Sequence, residues 1–353
     1  MFRYWPVPKR RLEVGSRREP SPRATIITGP VILPDGGIVP AKPTVDVGVV
    51  TWNSAELTAT ALRRLLDTDQ GCNLRLLVRD NASSDGTAEI LAERVPEAEI
   101  EAGRENLGFA RGMNRLLSRA EAPWFFVLNP DAWPDAGAIA TLVATALARP
   151  RAAAVVPRIE NPDGSLQHST YPFPSLRVAA STLVGAHRIG PARADRMQLE
   201  GSWMHDRARL VDWAIGAAML LRREALDDVG SFDETYFMYV EDLEWCWRAR
   251  RLGWEVFFEP AAVVKHVGNA SGAMGYGDRR TAAYMRNTYR FYRREHGGIA
   301  TAAYRALNLA GAGTRYAAAR ISHDASTARY WRLQLKANLE SARSDDIRPV
   351  SPE

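Results

Sequence analysis

Four groups of polar residues stand where short apolar runs end, and their types suit particular chemistry. Asp131 follows the run Trp124 to Leu128, behind Asn129 and Pro130. A carboxylate there could bind a divalent cation that neutralises a diphosphate, although an Asn-Pro-Asp turn is also an ordinary terminator. Asp80 could accept a hydrogen bond from the imide N–H of uracil or thymine, and Trp52 could stack on that base. A turn-forming Asp80-Asn81 pair and a core tryptophan are the plainer alternatives. Glu241-Asp242-Leu243-Glu244 opens a helical pattern, where acidic residues also complement the helix dipole. Phe237, Met238 and Tyr239 precede it, and Trp245, Trp247 and Trp254 follow. Carboxylates amid aromatics describe a sheltered place where a base could work, and aromatic faces suit sugar rings. His266 closes a later apolar run; a lone histidine is more often structural than a ligand. Cys246 is most simply a core residue.

These groups need elements to hold them. Val45 to Val50 is a short buried strand, and Ala55 to Leu66 has apolar residues at helical spacing with Ser54 as its N-cap. Leu74 to Val78 is the next strand, ending in the polar turn Arg79 to Thr87, before a helix near Ala88 to Arg94. Phe109 to Ser118 is helical, Trp124 to Leu128 a strand, and Ala136 to Ala148 an alanine-rich helix. This alternation predicts an α/β fold with a doubly wound, mostly parallel central sheet and flanking helices. Ligands of such sheets bind beyond the carboxyl ends of the strands. Thr51-Trp52-Asn53, Asp80-Asn81 and Asn129-Pro130-Asp131 all fall at such ends. Further on, Trp213 to Leu221 reads as one buried strand, and Glu241 to Leu252 as a helix stopped by Gly253. Val256 to Phe258 and Ala262 to Val264 read as short strands, and residues 279–340 as arginine-bearing helices. Residues 1–44 form an irregular basic arm, with a short strand at Thr25 to Ile27. Residues 45–272 make the α/β domain, and 273–353 a helical extension with a disordered end.

Composition narrows the function classes. Hydrophobic residues make up 46% and charged residues 25% of the 353, the profile of a soluble globular chain. The longest apolar stretches are too short to span a bilayer, and the opening residues carry no apolar leader. Cys72 and Cys246 cannot build a disulfide framework or a cysteine zinc site, so a reducing cytoplasm is expected. Net charge is +5 over residues 1–44, −7 over 45–270 and +7 over 271–353. A nucleic-acid binder should carry its basic patch on the folded body; here the body is acidic, and no nucleic-acid partner is expected. Neither a dinucleotide Gly-x-Gly-x-x-Gly, a phosphate-binding P-loop nor a Gly-x-Ser-x-Gly elbow is present. A nucleotidyltransferase would need a glycine-rich phosphate loop early in the chain, which is also missing.

Eight segments, in order, carry a resemblance: VDVGVVTWN (45–53), RDNASSDGT (79–87), NLGFARGMN (106–114), LNPD (128–131), GAAMLLRR (216–223), VGSFDETYF (229–237), MYVEDLEWCWRARRLG (238–253) and KHVGNASG (265–272). Together they resemble family 2 glycosyltransferases, in particular the bacterial rhamnosyltransferase-like branch. The resemblance implies a GT-A fold and inverting transfer from a nucleotide-diphospho-sugar. It implies that Trp52 and Asp80 bind the base. Asn106, Gly108 and Asn114 would line the nucleotide-sugar pocket, together with the strand-end residues Thr51, Asn53 and Asn129. It makes Asp242 the catalytic base with Glu241 beside it, and Asp131 and His266 the protein ligands of Mg²⁺ or Mn²⁺. Glu241 and Glu244 would position the acceptor or orient Asp242, and both remain open as bases themselves. Two positions depart from the usual pattern: Asn129 replaces the first aspartate of the metal motif, and Trp52 stands where tyrosine is usual.

By the same resemblance the first expected donor is dTDP-rhamnose, with galactofuranose, glucose and N-acetylhexosamine donors open. The expected acceptor is a hydroxyl of a glycan or polyprenyl-linked glycan in cell-envelope polysaccharide synthesis. A nucleotide-sugar-binding protein without catalysis is the alternative, against which the retained Asp131, Glu241 and Asp242 speak. A lipid-linked acceptor would bring the protein to the inner face of the plasma membrane. Tyr284, Tyr289, Phe291, Tyr292 and Tyr304, interleaved with Arg279, Arg280, Arg286, Arg290, Arg293, Arg294 and Arg305, could dock on anionic headgroups. Packing of those aromatics on the catalytic domain is the other use for them.

Overall fold

The computed structural model describes residues 31–32, 38–39, 42–185, 190–199, 203–268 and 280–340. The expected strand at Thr25 to Ile27 lies outside them. Strands β1 (Val31–Ile32) and β2 (Ile38–Val39) form a small antiparallel ladder. The chain then alternates through β3 (Thr44–Thr51), α1 (Ala55–Asp67), β4 (Asn73–Asp80), α2 (Thr87–Arg94), β5 (Ala98–Ala102), α3 (Gly108–Leu117), β6 (Trp124–Leu128), β7 (Ala132–Pro134) and α4 (Ala138–Leu147). The second half holds β8 (Ala152–Glu160), β9 (Leu166–Gln167), β10 (Thr170–Tyr171), α5 (Leu176–Leu183), α6 (Pro191–Arg196), β11 (Arg209–Val211), β12 (Trp213–Ala214), β13 (Ala218–Arg222), α7 (Arg223–Val229), α8 (Glu241–Arg251) and β14 (Glu255–His266). Helices α9 (Arg280–Ile321, broken at Gly297) and α10 (Ala325–Glu340) close the described chain.

The main sheet has the order β11-β14-β8-β13-β6-β3-β4-β5. Strands β5, β4, β3 and β6 are parallel neighbours, as are β8 and β14, while β13 lies antiparallel between β6 and β8. The six parallel strands therefore end on one edge. The inner strands β3 and β6 are mainly apolar on both faces because helices cover both. Phe125 and Val127 of β6 pack with Met113 of α3 and Leu243 and Trp245 of α8. Phe126 and Leu128 pack on the opposite side with Leu62 of α1 and Leu142 of α4.

Three sequence expectations change. Trp213 to Leu221 is not one strand: β12 pairs with β10 and β13 joins the main sheet, with a break at Ile215-Gly216-Ala217. The two short strands at 256–258 and 262–264 are one, β14, whose pairing with β8 slips between Glu259 and Val263, around Pro260, which has no N–H for the ladder. Ser54 does not cap α1 through its side chain; its hydroxyl joins those of Thr51 and Thr58 at 2.8 and 3.0 Å.

The C-terminal helices lie on the α/β domain. Tyr289, Phe291, Tyr292 and Tyr304 are buried. Tyr292 and Tyr304 stack at 4.5 Å across the Gly297 break, and Phe291 meets Trp247 of α8 edge-on at 5.7 Å. These four aromatics are therefore core, not a face for headgroups. Arg290 donates to the Thr235 carbonyl, and Arg294 pairs with Asp233, Glu244 and Glu295. Among the described residues no helix is long and apolar enough to cross a membrane.

Candidate active site

The three polar clusters meet on the carboxyl edge. Thr51 and Asp80 are partners in the β3–β4 register, and Leu128 pairs with Val49. Ser83 organises the first two clusters: its hydroxyl donates to Asp80 Oδ1, its N–H donates to Asp80 Oδ2 at 3.1 Å, and it accepts from the Asn53 N–H at 2.8 Å. Asn53, at φ 46°, also accepts from the Ser84 N–H at 2.7 Å. Burial raises the Asp80 carboxyl above its usual range, against the lowering effect of Ser83. Trp52 is half-buried on the same loop. Thr51 is different: its hydroxyl is enclosed with Ser54 and Thr58, 1% of the residue is exposed, and it supports the loop from beneath.

The segment 106–114 does something the sequence did not show. Asn106 Oδ1 accepts from the Gly108 N–H at 3.0 Å, and the Gly108 carbonyl accepts from Asn81 Nδ2 at 3.0 Å. Gly108 has φ 78°, and a Cβ there would stand 2.2 Å from the Phe237 carbonyl oxygen. That close approach lets the Phe109 N–H donate to the same oxygen at 2.7 Å. Asn114, expected to line the donor pocket, instead holds Phe232: Nδ2 donates to its carbonyl and Oδ1 accepts from its N–H, both at 2.9 Å. Helix α3 thus fastens the strap 232–237, which leads directly into α8.

Asp242 lies in the first turn of α8, 9% exposed. Oδ2 accepts from the Gly216 N–H at 2.9 Å, and Oδ1 from the Leu243 N–H at 2.7 Å. Burial nevertheless pushes its carboxyl up to about 6. Glu241 is also buried, and its Oε2 finds no hydrogen-bond partner among the described residues. Burial first, and then the charge of Asp242, hold Glu241 well above the ordinary carboxylate range. Glu244 faces elsewhere: Arg248 and Arg294 grip it at 2.9 and 2.8 Å, which removes it as a candidate base.

Asp131 and His266 come together, with Oδ1 and Nε2 3.2 Å apart. Asn129 Nδ2 lies 3.2 Å from the same Nε2. Gln167 fixes the ring. Its Nε2 donates to the carbonyl of His266 and to Asn161 Oδ1, both at 2.7 Å, so its Oε1 is left to accept from His266 Nδ1 at 2.9 Å. Nδ1 therefore carries a proton, and Nε2 faces the carboxylate of Asp131. An imidazole nitrogen beside a carboxylate oxygen fits a divalent transition metal such as Mn²⁺ better than Mg²⁺, which prefers oxygen. No group of three or more His, Cys, Asp or Glu suited to a metal occurs among the described residues, so a cation held at this pair would need further ligands from elsewhere. The two halves of the site join through the break before β13: Gly216 holds Asp242, while the Ala217 carbonyl accepts from the Asn129 N–H at 2.9 Å.

The model of the family Glycosyltransferase like family 2 matches residues 43–293, a span holding every residue named above for this site except Arg294. The chain belongs to that family. This glycosyltransferase is 32% identical over 236 residues to N-acetylglucosaminyl-diphospho-decaprenol L-rhamnosyltransferase of Mycobacterium tuberculosis, covering 63% of this chain and 76% of the relative. It is 27% identical over 209 residues to a galactofuranosyl glycosyltransferase of Leishmania donovani, covering 53% of this chain and 46% of the relative. Among solved structures, the mannosyltransferase PcManGT of Pyrobaculum calidifontis, in complex with GDP-Man and Mn²⁺, superposes with TM-score 0.52 at 18% identity, over 85% of this chain and 86% of the other. The architecture of the glycosyltransferase is accordingly the GT-A fold.

Gln167 and Gly216 were not singled out by sequence reasoning. Gln167 sits in a turn-rich stretch with no periodic signal. Gly216 acts through its backbone, which no side-chain chemistry announces.

Proposed function

We propose that the protein is an inverting sugar transferase, using a nucleotide-diphospho-sugar and a hydroxyl of a lipid-linked glycan. The carrying observation is Asp242: a buried carboxylate at the strand-end edge, fixed by two backbone N–H groups, with a pKa raised to about 6. Such a group is ionised at neutral pH yet basic enough to take a proton. Asp242 removes the proton from the acceptor hydroxyl as that oxygen bonds to the anomeric carbon. The bond from that carbon to the diphosphate oxygen breaks, and the nucleoside diphosphate leaves with the electron pair. Attack from the face opposite the leaving group inverts the centre. Burial favours the protonated form of Glu241, which could donate a hydrogen bond to the acceptor. Asp80 and Trp52 receive the base, held in place by Ser83 and Asn53.

Asp131 and His266 would hold a divalent cation, for which Mn²⁺ is the better fit. When bound it would neutralise charge developing on the departing diphosphate. Because Asn129 is neutral, the protein alone offers little charge for it, and the diphosphate would complete the ligand set. The M. tuberculosis relative, by its name, moves L-rhamnose to a decaprenol-linked N-acetylglucosamine. That supports dTDP-rhamnose as the first donor to try and a polyprenyl-diphospho-sugar as the acceptor, in cell-envelope glycan synthesis. The test is a transfer assay with dTDP-rhamnose, UDP-galactofuranose, UDP-glucose and UDP-N-acetylglucosamine on a short-chain polyprenyl-diphospho-N-acetylglucosamine. Transfer from dTDP-rhamnose with inverted anomeric configuration supports the reading; retained configuration, or turnover with none of the four, rejects it.

A further inference from the structure

Two successive residues just before the base have left-handed backbone: Tyr239 at φ 72° and Val240 at φ 79°. Neither is glycine, and for a β-branched residue such as valine this region is a real outlier. Strain of this kind persists only where surrounding contacts over-determine it. The structure shows those contacts. Asn287 of α9 reaches across with Nδ2 and donates to the carbonyls of Met238 and Tyr239, at 3.0 and 3.2 Å. One helical turn on, Arg290 donates to the Thr235 carbonyl at 2.9 Å. At the next turn Arg294 pairs with Asp233 and Glu244, each at 2.8 Å. Positions 287, 290 and 294 share one helical face, and that face is turned on residues 233–244. From the other side, the Phe109 N–H of α3 holds the Phe237 carbonyl at 2.7 Å. The strap into α8 is clamped between α3 and α9.

We propose that Asn287 is a positioning residue for the transfer reaction: its two hydrogen bonds hold the strained Tyr239-Val240 turn and so aim Asp242. The helical extension is then part of the catalytic apparatus rather than an appendage. The inference rests on Asp242 being the base. Nδ2 carries two hydrogens, one for each carbonyl, so aspartate, which has the same shape but cannot donate there, should fail as alanine does. Without those bonds the turn can relax toward ordinary dihedrals, rotating the first turn of α8 away from Gly216.

The experiment compares the full-length protein with Asn287→Ala and Asn287→Asp. Both variants are expected to lose roughly tenfold or more in kcat, because small misplacements of a reacting group are costly, with donor affinity unchanged. Hydrogen exchange should quicken in peptides spanning 238–244 and not in those from β3, β4 or β6. Val240→Gly, which adopts φ 79° without steric cost, should make kcat less sensitive to Asn287→Ala. Unchanged kcat in Asn287→Ala, or unchanged exchange over 238–244, overturns the proposal. So does an equal fall in kcat with and without Val240→Gly. Should Val240→Gly not fold, the exchange measurement decides alone. Asp242→Asn, measured beside them, separates the two failures. If it remains active, the base assignment is wrong, whereas if it is dead while Asn287→Ala is fully active, only the role of Asn287 is wrong.

Discussion

The backbone N–H of Gly216 stands 2.9 Å from Oδ2 of Asp242. It sets the orientation of the carboxylate and stabilises its charged form, while burial works against that charge and wins, leaving a pKa of about 6. A base must be deprotonated to act. Activity should therefore rise with pH through about 6 and level off above it. The pH dependence of kcat/KM checks this; an acid limb lying near the ordinary aspartate value instead would detach activity from Asp242.

Glu241 gives the opposite expectation. Burial and the neighbouring Asp242 raise its carboxyl well above the ordinary range and so favour the protonated form, which glutamine copies. Glu241→Gln should keep most of the activity at neutral pH, within about an order of magnitude, whereas Glu241→Ala should lose more. A Gln variant as inactive as one lacking Asp242 would make Glu241 an ionised participant.

Much of this site was legible in the sequence, for a physical reason. Parallel strands buried on both faces read as apolar runs, so their ends, and the polar residues just after Thr51, Asp80 and Leu128, could be located. Asp131 and His266 were paired as metal ligands by the family resemblance alone, and the fold brings them together across the β7–β14 pairing. What stayed hidden works through backbone groups or through contacts far apart in sequence. Asn114 was expected in the donor pocket and holds Phe232 instead, 118 residues away. The tyrosines of α9 look amphipathic beside their arginines, yet the break at Gly297 folds Tyr304 back onto Tyr292. No local pattern shows that, because Gly-Gly inside a helical stretch does not say how sharply the chain turns.

Gly108 offers a stability test. A methyl group there would lie 2.2 Å from the Phe237 oxygen, in a backbone conformation that already disfavours side chains. Gly108→Ala is expected to cost about 1–3 kcal/mol of stability and to displace the strap that leads to Asp242. Thermal unfolding should show the loss, and activity should fall further than stability alone explains. A variant with wild-type melting temperature would mean the strap is not seated against α3 as described.

The cation site makes a conditional prediction. Mn²⁺ should bind weakly to the protein alone and more tightly with nucleoside diphosphate, because Asp131 is the one carboxylate that the described residues pair with His266 there. Asp131→Asn and His266→Ala should each weaken Mn²⁺ binding to the nucleotide complex, by roughly 10–100-fold, read by paramagnetic resonance. Tight binding without nucleotide, or full transfer activity in excess EDTA, would contradict the assignment.

The most direct test of the central claim is the single-turnover rate of sugar transfer by Asp242→Asn, with donor binding and fold measured on the same preparation. The expected result is a folded protein that binds donor like wild type and transfers about 10²–10⁴-fold more slowly, the usual loss on removing a general base. A folded variant that keeps more than about a tenth of the wild-type rate would contradict it, since that falls well short of the loss of a base, and the proton would then have to leave by another group.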